Sequence, residues 1–416
     1  MEQIHTSLNS EVGALEAVIL HRPGIEIERM TPTTIKEALY SDLLSESIAK
    51  KEYLQLEGVL AKYTKVLYID DLLGELLATN AEAKEFLIDT VCRVEKIEEL
   101  RVLFTQASSS DLTKWLIEGL SKDEVKDIYR TNEDYLLTPL YNIYFTRDIG
   151  VSFNGKSMPT QMATRVRRRE NIITDVIFRY HPIFTQIDAH SYPWDKAPKN
   201  AILEGGDFLV AAENIFLIGM GGRSNQAGVD AFIAEKAKYT SLFYVVTQEL
   251  PTFPESFIHL DMVFTLLDRD VCMLYAPLIL EGRKYKTTLL KVENGVVTSR
   301  VESNLLTALQ RLNMPMNPIC CGGSNRVYMD RDQWHSGANF FTIAPGHIMG
   351  YERNTHTIDA LHQAGFKVIS ANEIIASKEN LLTPGQKTVI TLKSSELVRG
   401  GGGCRCMTMP IQRKSI

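Results

Sequence analysis

The sequence predicts an α/β fold built from recurring units of a β-hairpin followed by a helix, with a group of helices inserted near its start. Two observations lead to this prediction. Apolar segments separated by short polar turns recur as candidate hairpins at 206–219, 260–275 and 339–350. Between 71 and 131, by contrast, leucine and charged residues dominate and only two glycines occur. Recurring units that pack on their neighbours indicate a toroidal, propeller-like arrangement.

The first elements in chain order are a strand, a long helix and a second strand. Residues 15–24 form an apolar run that ends in Pro23 and Gly24, which is typical of a buried strand. Thr31 followed by Pro32 fits the start of a helix, and residues 33–64 keep a helical pattern. The apolar segment 66–69 then predicts a short strand.

The segment from about residue 71 to 131 is predicted to be a helical insertion of roughly four short helices, because its apolar residues recur at helical spacing. Leu112 and Leu116 are one example of this spacing. Ser110 is a candidate helix start, and Ser121 with Glu124 forms a candidate capping box.

The remainder of the chain alternates hairpins with amphipathic helices. The hairpin at 206–219 is followed by a predicted helix at 226–238, and the hairpin at 339–350 by one at 357–364. The two units have the same layout, although the period between units is irregular. They therefore predict a repeat of one structural module.

Composition restricts the class of protein and its partners. The chain has 416 residues, 44% of them apolar and 23% charged, with a net charge of -6, which disfavours nucleic acid or an anionic membrane as the main partner. No secretory signal or membrane-spanning run is recognisable. The six cysteines are too few and too uneven for a disulfide framework or a paired CxxC zinc site, so we expect a cytoplasmic protein with free thiols.

Four polar stretches lie at the ends of predicted strands: 142–148, 204–207, 259–261 and 400–410. Each has a structural explanation of its own. Asp207 fits a turn that binds backbone donors, His259 fits a satisfied core histidine, and Asp148 and Asp261 fit turn caps. The glycine run is followed by residues too apolar for a linker. The coincidence of all four stretches nevertheless favours a site.

Together these stretches suggest nucleophilic chemistry on a cation. The glycine-rich backbone and Arg405 are expected to hold Cys406 as a thiolate. A histidine oriented by a carboxylate can donate and accept protons near neutral pH. Two further aspartates around one small site would repel each other unless the substrate were a cation with several donors. A planar guanidinium satisfies that requirement.

With these stretches taken together, the sequence resembles the bacterial arginine deiminase family of the guanidino-group-modifying (pentein) superfamily. The likeness extends over nearly the whole chain and is specific because its short motifs occur in the family's order. These motifs are 10–13, 21–24, 144–148, 204–207, 259–261, 345–354 and 405–410.

The resemblance implies a role for each matching residue. Cys406 would be the nucleophile, His259 the general acid and base, and Glu204 its partner. Asp148 and Asp261 would bind the guanidinium. Arg167 and Arg223 would hold the α-carboxylate of the substrate, and Asn142 and Phe145 would line the substrate site.

The resemblance also implies a five-module α/β-propeller. Its first module would cover 1–70, the helical insertion 71–134, and the remaining modules 135–416. The implied reaction converts free L-arginine to L-citrulline and ammonia through a covalent thiouronium, with no metal or organic cofactor. The implied partner is a small molecule, and whether the chain forms a homo-oligomer stays open.

The sequence leaves alternative functions open and departs from the family pattern at some positions. Relatives in the superfamily act on agmatine, methylated arginine or citrulline, and a catalytically silent arginine-binding protein is the non-enzyme alternative. Gly401 stands where some members carry an arginine, and Cys404 where the family has a proline, glycine or alanine. Cys404 is either a small filler or a redox partner for Cys406, which the flexibility of the glycine run would permit.

Overall fold

The computed structural model has a mixed α/β fold. It describes residues 3–36, 38–40, 42–125, 134–185, 192–281 and 284–416. The helices are α1 Ile25–Glu28, α2 Glu46–Tyr63, α3 Ile69–Thr79, α4 Ala81–Glu95, α5 Arg101–Gln106, α6 Ser109–Glu118, α7 Arg168–Tyr180, α8 Gln226–Lys236, α9 Ala276–Ile279, α10 Leu305–Arg311, α11 Arg326–Trp334, α12 Thr355–Gln363 and α13 Ala371–Ala376. The strands are β1 Ile4–His5, β2 Leu15–Leu20, β3 Lys65–Tyr68, β4 Leu120–Ser121, β5 Tyr135–Leu137, β6 Gly150–Phe153, β7 Lys156–Pro159, β8 Phe184–Thr185, β9 Phe208–Ala212, β10 Ile215–Met220, β11 Leu242–Glu249, β12 Phe264–Leu266, β13 Val271–Leu274, β14 Thr287–Glu293, β15 Val296–Glu302, β16 Asn317–Cys320, β17 Phe341–Ala344, β18 His347–Tyr351, β19 Lys367–Ser370, β20 Thr388–Leu392 and β21 Met409–Arg413.

The three predicted hairpins are confirmed. Strands β9 and β10, β12 and β13, and β17 and β18 each pair antiparallel. After each hairpin, the second strand gains a parallel neighbour from later in the chain: β11, β16 and β20 respectively. The apolar strands separated by short polar turns therefore form repeated sheets whose inner faces are buried.

The two ends of the described chain meet in one sheet. Strand β2 pairs parallel to β3 and antiparallel to β21, which carries residues directly after Cys406. The predicted strand at 15–24 is thus the centre of this sheet, and its apolar residues are almost fully buried. This pairing brings the start of the chain against the cysteine-bearing segment.

The predicted helical insertion contains α3 to α6, which pack around buried leucines such as Leu72 and Leu116. The capping box of Ser121 and Glu124 is present, but it begins a single 3-10 turn at Lys122–Glu124. The part of the predicted insertion at 126–133 lies outside the described residues. Within the described ranges, no helix is both long and apolar enough to cross a membrane.

The prediction of one helix over 33–64 is wrong for its first part. Helix α2 begins at Glu46, and residues 32–36 and 38–39 form turns. Leu39 adopts a left-handed φ of 68°, which ends the local helical hydrogen bonding. The side chain of Tyr40 then donates to the carbonyl of Tyr141, so contact with a distant loop fixes the path of this segment.

Candidate active site

Four loops that precede strands meet at one place in the fold. The amide of Arg147 donates to the carbonyl of Cys406 at 3.0 Å, and the amide of Gly205 donates to the carbonyl of Asp148 at 3.0 Å. A Cβ on Gly205 would collide with the carbonyl of Arg147, and one on Gly206 would lie 2.5 Å from the His259 ring. The glycines of 204–207 therefore allow the close approach of these loops.

Asp207 has a structural role in this convergence. Its carboxylate accepts from the amide of Leu260 at 2.9 Å and from the Ser224 hydroxyl at 2.6 Å. Burial raises its pKa to about 6, although His259 opposes the shift. The structural explanation offered for Asp207 from the sequence is thus confirmed, and this residue fixes the 259–261 loop against the 204–207 loop.

The His259 ring lies between two carboxylates. Its Nε2 is 2.9 Å from Glu204 Oε2, and its Nδ1 is 3.7 Å from Asp148 Oδ1. Burial alone would lower the pKa of His259, but Asp148 and the hydrogen bond to Glu204 raise it to about 9. Burial would likewise raise the pKa of Glu204, yet His259 and the nearby Arg223 lower it to about 2. At neutral pH the pair is therefore an imidazolium and a carboxylate.

Cys406 is buried beside Asp261, whose nearer oxygen lies 3.8 Å from the sulfur. The Asn339 side chain donates to this sulfur at 3.2 Å. Burial, Asp261 and Asp148 raise the pKa of Cys406 well above its ordinary value. The expectation that Arg405 holds a thiolate is wrong, because the opposing effect of Arg405 is smaller. In the free protein, Cys406 is a neutral thiol.

The Arg405 side chain is engaged by carboxylates. Its guanidinium donates to Asp261 Oδ2 at 2.8 Å and to Glu11 at 3.0 Å. Burial raises the pKa of Asp261 despite the contact with Arg405. Burial would also raise the pKa of Glu11, but Arg405 and Arg147 lower it to about 2. Arg405 therefore neutralises one side of Asp261 and anchors it to the start of the chain.

Asp148 has a matching arginine. Arg167 donates from Nη1 to Asp148 Oδ2 at 2.6 Å, and its other nitrogens contact Glu170 at 2.8 and 3.0 Å. Asp148 Oδ1 has no hydrogen-bond partner among the described residues. Each of the two aspartates thus pairs with a buried arginine, and Asp148 keeps one oxygen available.

The remaining residues implied in substrate binding differ in their surroundings. Arg223 Nη1 lies 3.6 Å from Glu204 and has no hydrogen-bond partner within the described chain. The Asn142 side chain donates to the carbonyl of Ala38 at 2.7 Å. The Phe145 ring packs 4.1 Å from that of Tyr144, between centroids. All three are largely buried near the converging loops.

Sequence reasoning missed three residues of this site. Asn339 contacts the sulfur and accepts the amides of Arg405 and Cys406, at 2.9 and 3.2 Å. Glu11 and Glu170 hold the two arginines. Asn339 was detectable, because it lies just before the first strand of a hairpin, as the 204–207 and 259–261 loops do. Over the described ranges, no group of three or more His, Cys, Asp or Glu side chains could hold a metal ion.

Comparison with known proteins supports one family. A family model described as arginine deiminase matches residues 36–413. An arginine deiminase of Borrelia duttonii (strain Ly) is 31% identical over 430 residues, covering 98% of this chain and 98% of the relative. One of Clostridium perfringens (strain SM101 / Type A) is 29% identical over 431 residues, covering 99% and 98%.

The fold also matches that of a solved structure. The N-terminal domain of ArgZ, an arginine dihydrolase from the ornithine-ammonia cycle in cyanobacteria, was solved as a cysteine-to-serine variant bound to substrate. It shares 12% identity and a TM-score of 0.52, with 95% of this chain and 98% of that chain covered. Because the family model covers most of the sequence and a full-length relative exceeds 30% identity, the chain belongs to the arginine deiminase family.

Proposed function

We propose that this chain hydrolyses the guanidinium group of free L-arginine to L-citrulline and ammonia through a covalent intermediate on Cys406. The observation that carries the proposal is a buried thiol next to carboxylates, with the imidazolium of His259 in the same cluster. Membership of the arginine deiminase family agrees with this chemistry. The reaction requires no metal or organic cofactor.

The guanidinium would bind between Asp148 and Asp261. Arg167 and Arg405 neutralise one side of these carboxylates, which leaves the opposite oxygens as acceptors for the donors of a planar cation. Asp148 Oδ1 is buried and has no hydrogen-bond partner among the described residues, so a donor of a positively charged ligand would be favourable there.

Binding of the cation would also activate the nucleophile. Asp261 and Asp148 raise the pKa of Cys406 in the free protein. A guanidinium held between them compensates their charge and lowers the pKa of the thiol. The thiol then gives its proton to solvent water, and the thiolate adds to the guanidinium carbon. The substrate therefore supplies the positive charge that Arg405, engaged by Glu11 and Asp261, does not.

His259 would move the protons of the subsequent steps. Addition of the thiolate gives a tetrahedral adduct, and the imidazolium protonates one amine so that ammonia leaves. A thiouronium remains on Cys406. The neutral imidazole then removes a proton from water, and the hydroxide adds to the same carbon. The carbon–sulfur bond breaks with its electron pair on sulfur, and the hydroxyl proton of the adduct returns to the thiolate as citrulline is released. Glu204 keeps the ring oriented throughout, through the 2.9 Å contact with Nε2.

Recognition of the α-carboxylate is assigned to Arg223. Its Nη1 lacks a hydrogen-bond partner in the described chain. The resemblance also implied Arg167, but that guanidinium is engaged by Asp148 and Glu170. We therefore assign Arg167 to positioning Asp148. Asn142 and Phe145 would line the binding site for the substrate.

The repeated sheets support a finer description of the architecture. We propose five α/β-propeller modules, with the first in 1–70, the remainder in 135–416 and the helical insertion in 71–134. The pairing of β21 with β2, which would close a ring of modules, supports this arrangement. The six cysteines are all free thiols, which agrees with action in the cytoplasm on a small-molecule substrate.

Product analysis tests the reaction. The purified chain is incubated with L-arginine and the products are identified by mass. Citrulline with one equivalent of ammonia is the expected result. Ornithine would show that citrulline is hydrolysed further. Preferential turnover of agmatine or methylated arginine would show that the substrate is not arginine. If no guanidine is turned over, the chain is a binding protein and not an enzyme.

A further inference from the structure

A second cavity lies apart from the cysteine site and is rich in cations. It has a volume of about 1140 Å³ and is bordered by α2, α11, the start of α12 and the segment after β20. Lys51, Arg331, Arg353 and Lys393 line it from four different elements. None of the residues assigned above to the proposed reaction lines this cleft.

These four cations are not neutralised by the protein. No carboxylate oxygen of the described residues lies within 4.0 Å of their charged nitrogens. Arg353 makes only long contacts, 3.5 Å to the carbonyl of Ser394 and 3.4 Å to the His335 ring. Burial, Arg353 and Arg331 lower the pKa of His335, which is consistent with uncompensated positive charge. This clustering contrasts with the net charge of -6 for the whole chain.

Three acidic residues also line the cleft, and two of them are directed into the protein. Glu52 accepts the amides of Ser395, Glu396 and Leu397, with contacts of 2.7 to 3.1 Å. Asp332 accepts the amide and hydroxyl of Thr357 at 2.9 and 2.8 Å.

The third acid, Glu352, is exposed at the rim. Because Glu52 and Asp332 are satisfied by these internal donors, the charges left to face a ligand are mainly positive. His356 adds a further nitrogen-bearing side chain to the wall.

An independent observation indicates a missing partner. Ser394 lines the cleft and is 4% exposed, and its buried hydroxyl has no hydrogen-bond partner in the described structure. A buried polar atom without a partner is unfavourable unless a ligand or water satisfies it. The hydroxyl lies in the same segment as Lys393, so one anionic group could contact both.

We propose that this cleft binds a small molecule that carries two or more phosphate groups. Guanidinium and ammonium groups are the usual partners of phosphate oxygens. A cavity of about 1140 Å³ with cations on four elements exceeds what one phosphate ion would occupy. Glu52, which lines the cleft, accepts the amide of Leu397 at 2.8 Å and so holds the start of the segment that continues to Cys406.

The experiment is calorimetric titration of the full chain with phosphate, pyrophosphate and tripolyphosphate in about 0.15 M salt, where long-range attraction is largely screened. We expect saturable 1:1 binding that tightens with the number of phosphate groups. The double variant K51Q/R331Q removes two cations whose side chains make no hydrogen bond or ion pair with the residues that the structure describes, so the fold should persist. Each charge-assisted contact corresponds to about tenfold in affinity, so pyrophosphate binding should weaken at least tenfold.

A matched control removes one lysine and one arginine elsewhere. The double variant K291Q/R300Q changes exposed residues of the β14–β15 hairpin, and its Kd should equal that of the unchanged chain. Pyrophosphate should also raise the Tm of the unchanged chain and of the control, but not of K51Q/R331Q. Absence of saturable binding, equal weakening in both double variants, or equal competition by sulfate would overturn the proposal.

Discussion

Replacing Glu204 by glutamine should lower the pKa of His259. The two side chains are buried and 2.9 Å apart, and glutamine keeps the size of the side chain while removing its charge. The pKa of His259 is raised from 6.5 to about 9, and that of Glu204 is lowered from 4.5 to about 2. Because these shifts describe one interaction from its two sides, they must not be added.

The magnitude follows from the same contact. At about 1.36 kcal/mol per pKa unit, the shift of His259 corresponds to roughly 3 kcal/mol in favour of the imidazolium. A charge-assisted hydrogen bond contributes about 1.5–3 kcal/mol, or roughly one to two pKa units. Asp148 stays in place 3.7 Å from the other ring nitrogen, so E204Q should lose part of the shift.

The assay is an NMR titration of chain labelled with 15N-histidine between pH 5 and 10, with His259 assigned from an H259Q sample. A matched control is E302Q, which removes another buried glutamate that pairs with arginine far from His259. An unchanged or higher pKa in E204Q would refute the reasoning. Since the folded-state pKa is raised, its stabilising effect is complete below pH 6.5 and is lost as pH rises through about 9. The free energy of unfolding of E204Q should therefore fall less over that range.

The remaining predictions concern the other parts of the proposed site. C406S should abolish turnover with little change in Tm, since a serine hydroxyl ionises far less readily than a thiol. C404S should stay active. The reverse pattern would show that Cys404, and not Cys406, is the nucleophile. D261N should lower kcat/KM by an amount that corresponds to about 2–5 kcal/mol of lost transition-state stabilisation, because the guanidinium and Arg405 each lose a charged partner. Near-normal steady-state kinetics of D261N would show that Asp261 does not belong to the site. R223Q should reduce kcat/KM for arginine much more than for agmatine, which lacks the carboxylate, and equal losses for both substrates would contradict that role.

Much of the site could be predicted because each polar stretch interrupts an apolar pattern just before a strand. Asp148, Glu204, His259, Asp261 and Cys406 all lie at such positions, and the backbone bonds between their loops explain why they meet. The apolar hairpins follow the same local logic, since their alternation with polar turns depends only on neighbouring residues.

Long-range charge pairing could not be predicted in this way. Glu11 and Arg405 are separated by 394 positions, yet their 3.0 Å contact determines that Arg405 stabilises carboxylates instead of the thiolate. The role of Arg167 was ambiguous for the same reason. The sequence does not decide whether its guanidinium binds a substrate or binds Glu170, three residues later. The sign of a local charge effect therefore depends on partners that only the fold brings together.

The early segment 33–45 illustrates a conflict between helical pattern and tertiary contact. Its periodicity fits a helix, but Asn142 donates to the carbonyl of Ala38 and Tyr40 donates to the carbonyl of Tyr141. These contacts belong to the loop that leads to Asp148. Ala38 and Tyr40 are thus held by the loop beside the proposed site, and these tertiary contacts override the local helical pattern.

The glycines before Cys406 serve close packing more than the flexibility that we expected from the sequence. Flexibility was predicted for 400–403, but a Cβ on Gly402 would collide with Phe145, and one on Gly403 would lie 2.6 Å from Asn339 Oδ1. The carbonyl of Gly402 also accepts from Tyr351 at 3.0 Å. Of the four glycines, Gly401 has a left-handed φ of 82° and open space around it. The run is therefore glycine-rich mainly because the loop packs closely.

This close packing changes how the two neighbouring thiols should behave. Cys404 is 1% exposed and Cys406 4% exposed, and burial raises the pKa of both. Two neutral, buried thiols on a closely packed loop react slowly with mild oxidants. A disulfide between Cys404 and Cys406 stays a prediction, and it would require the loop to open first. The same close packing holds the Cys406 sulfur against Asn339 and Asp261. In the proposed reaction, activation would therefore depend on the charge of the ligand and would need no rearrangement of the loop.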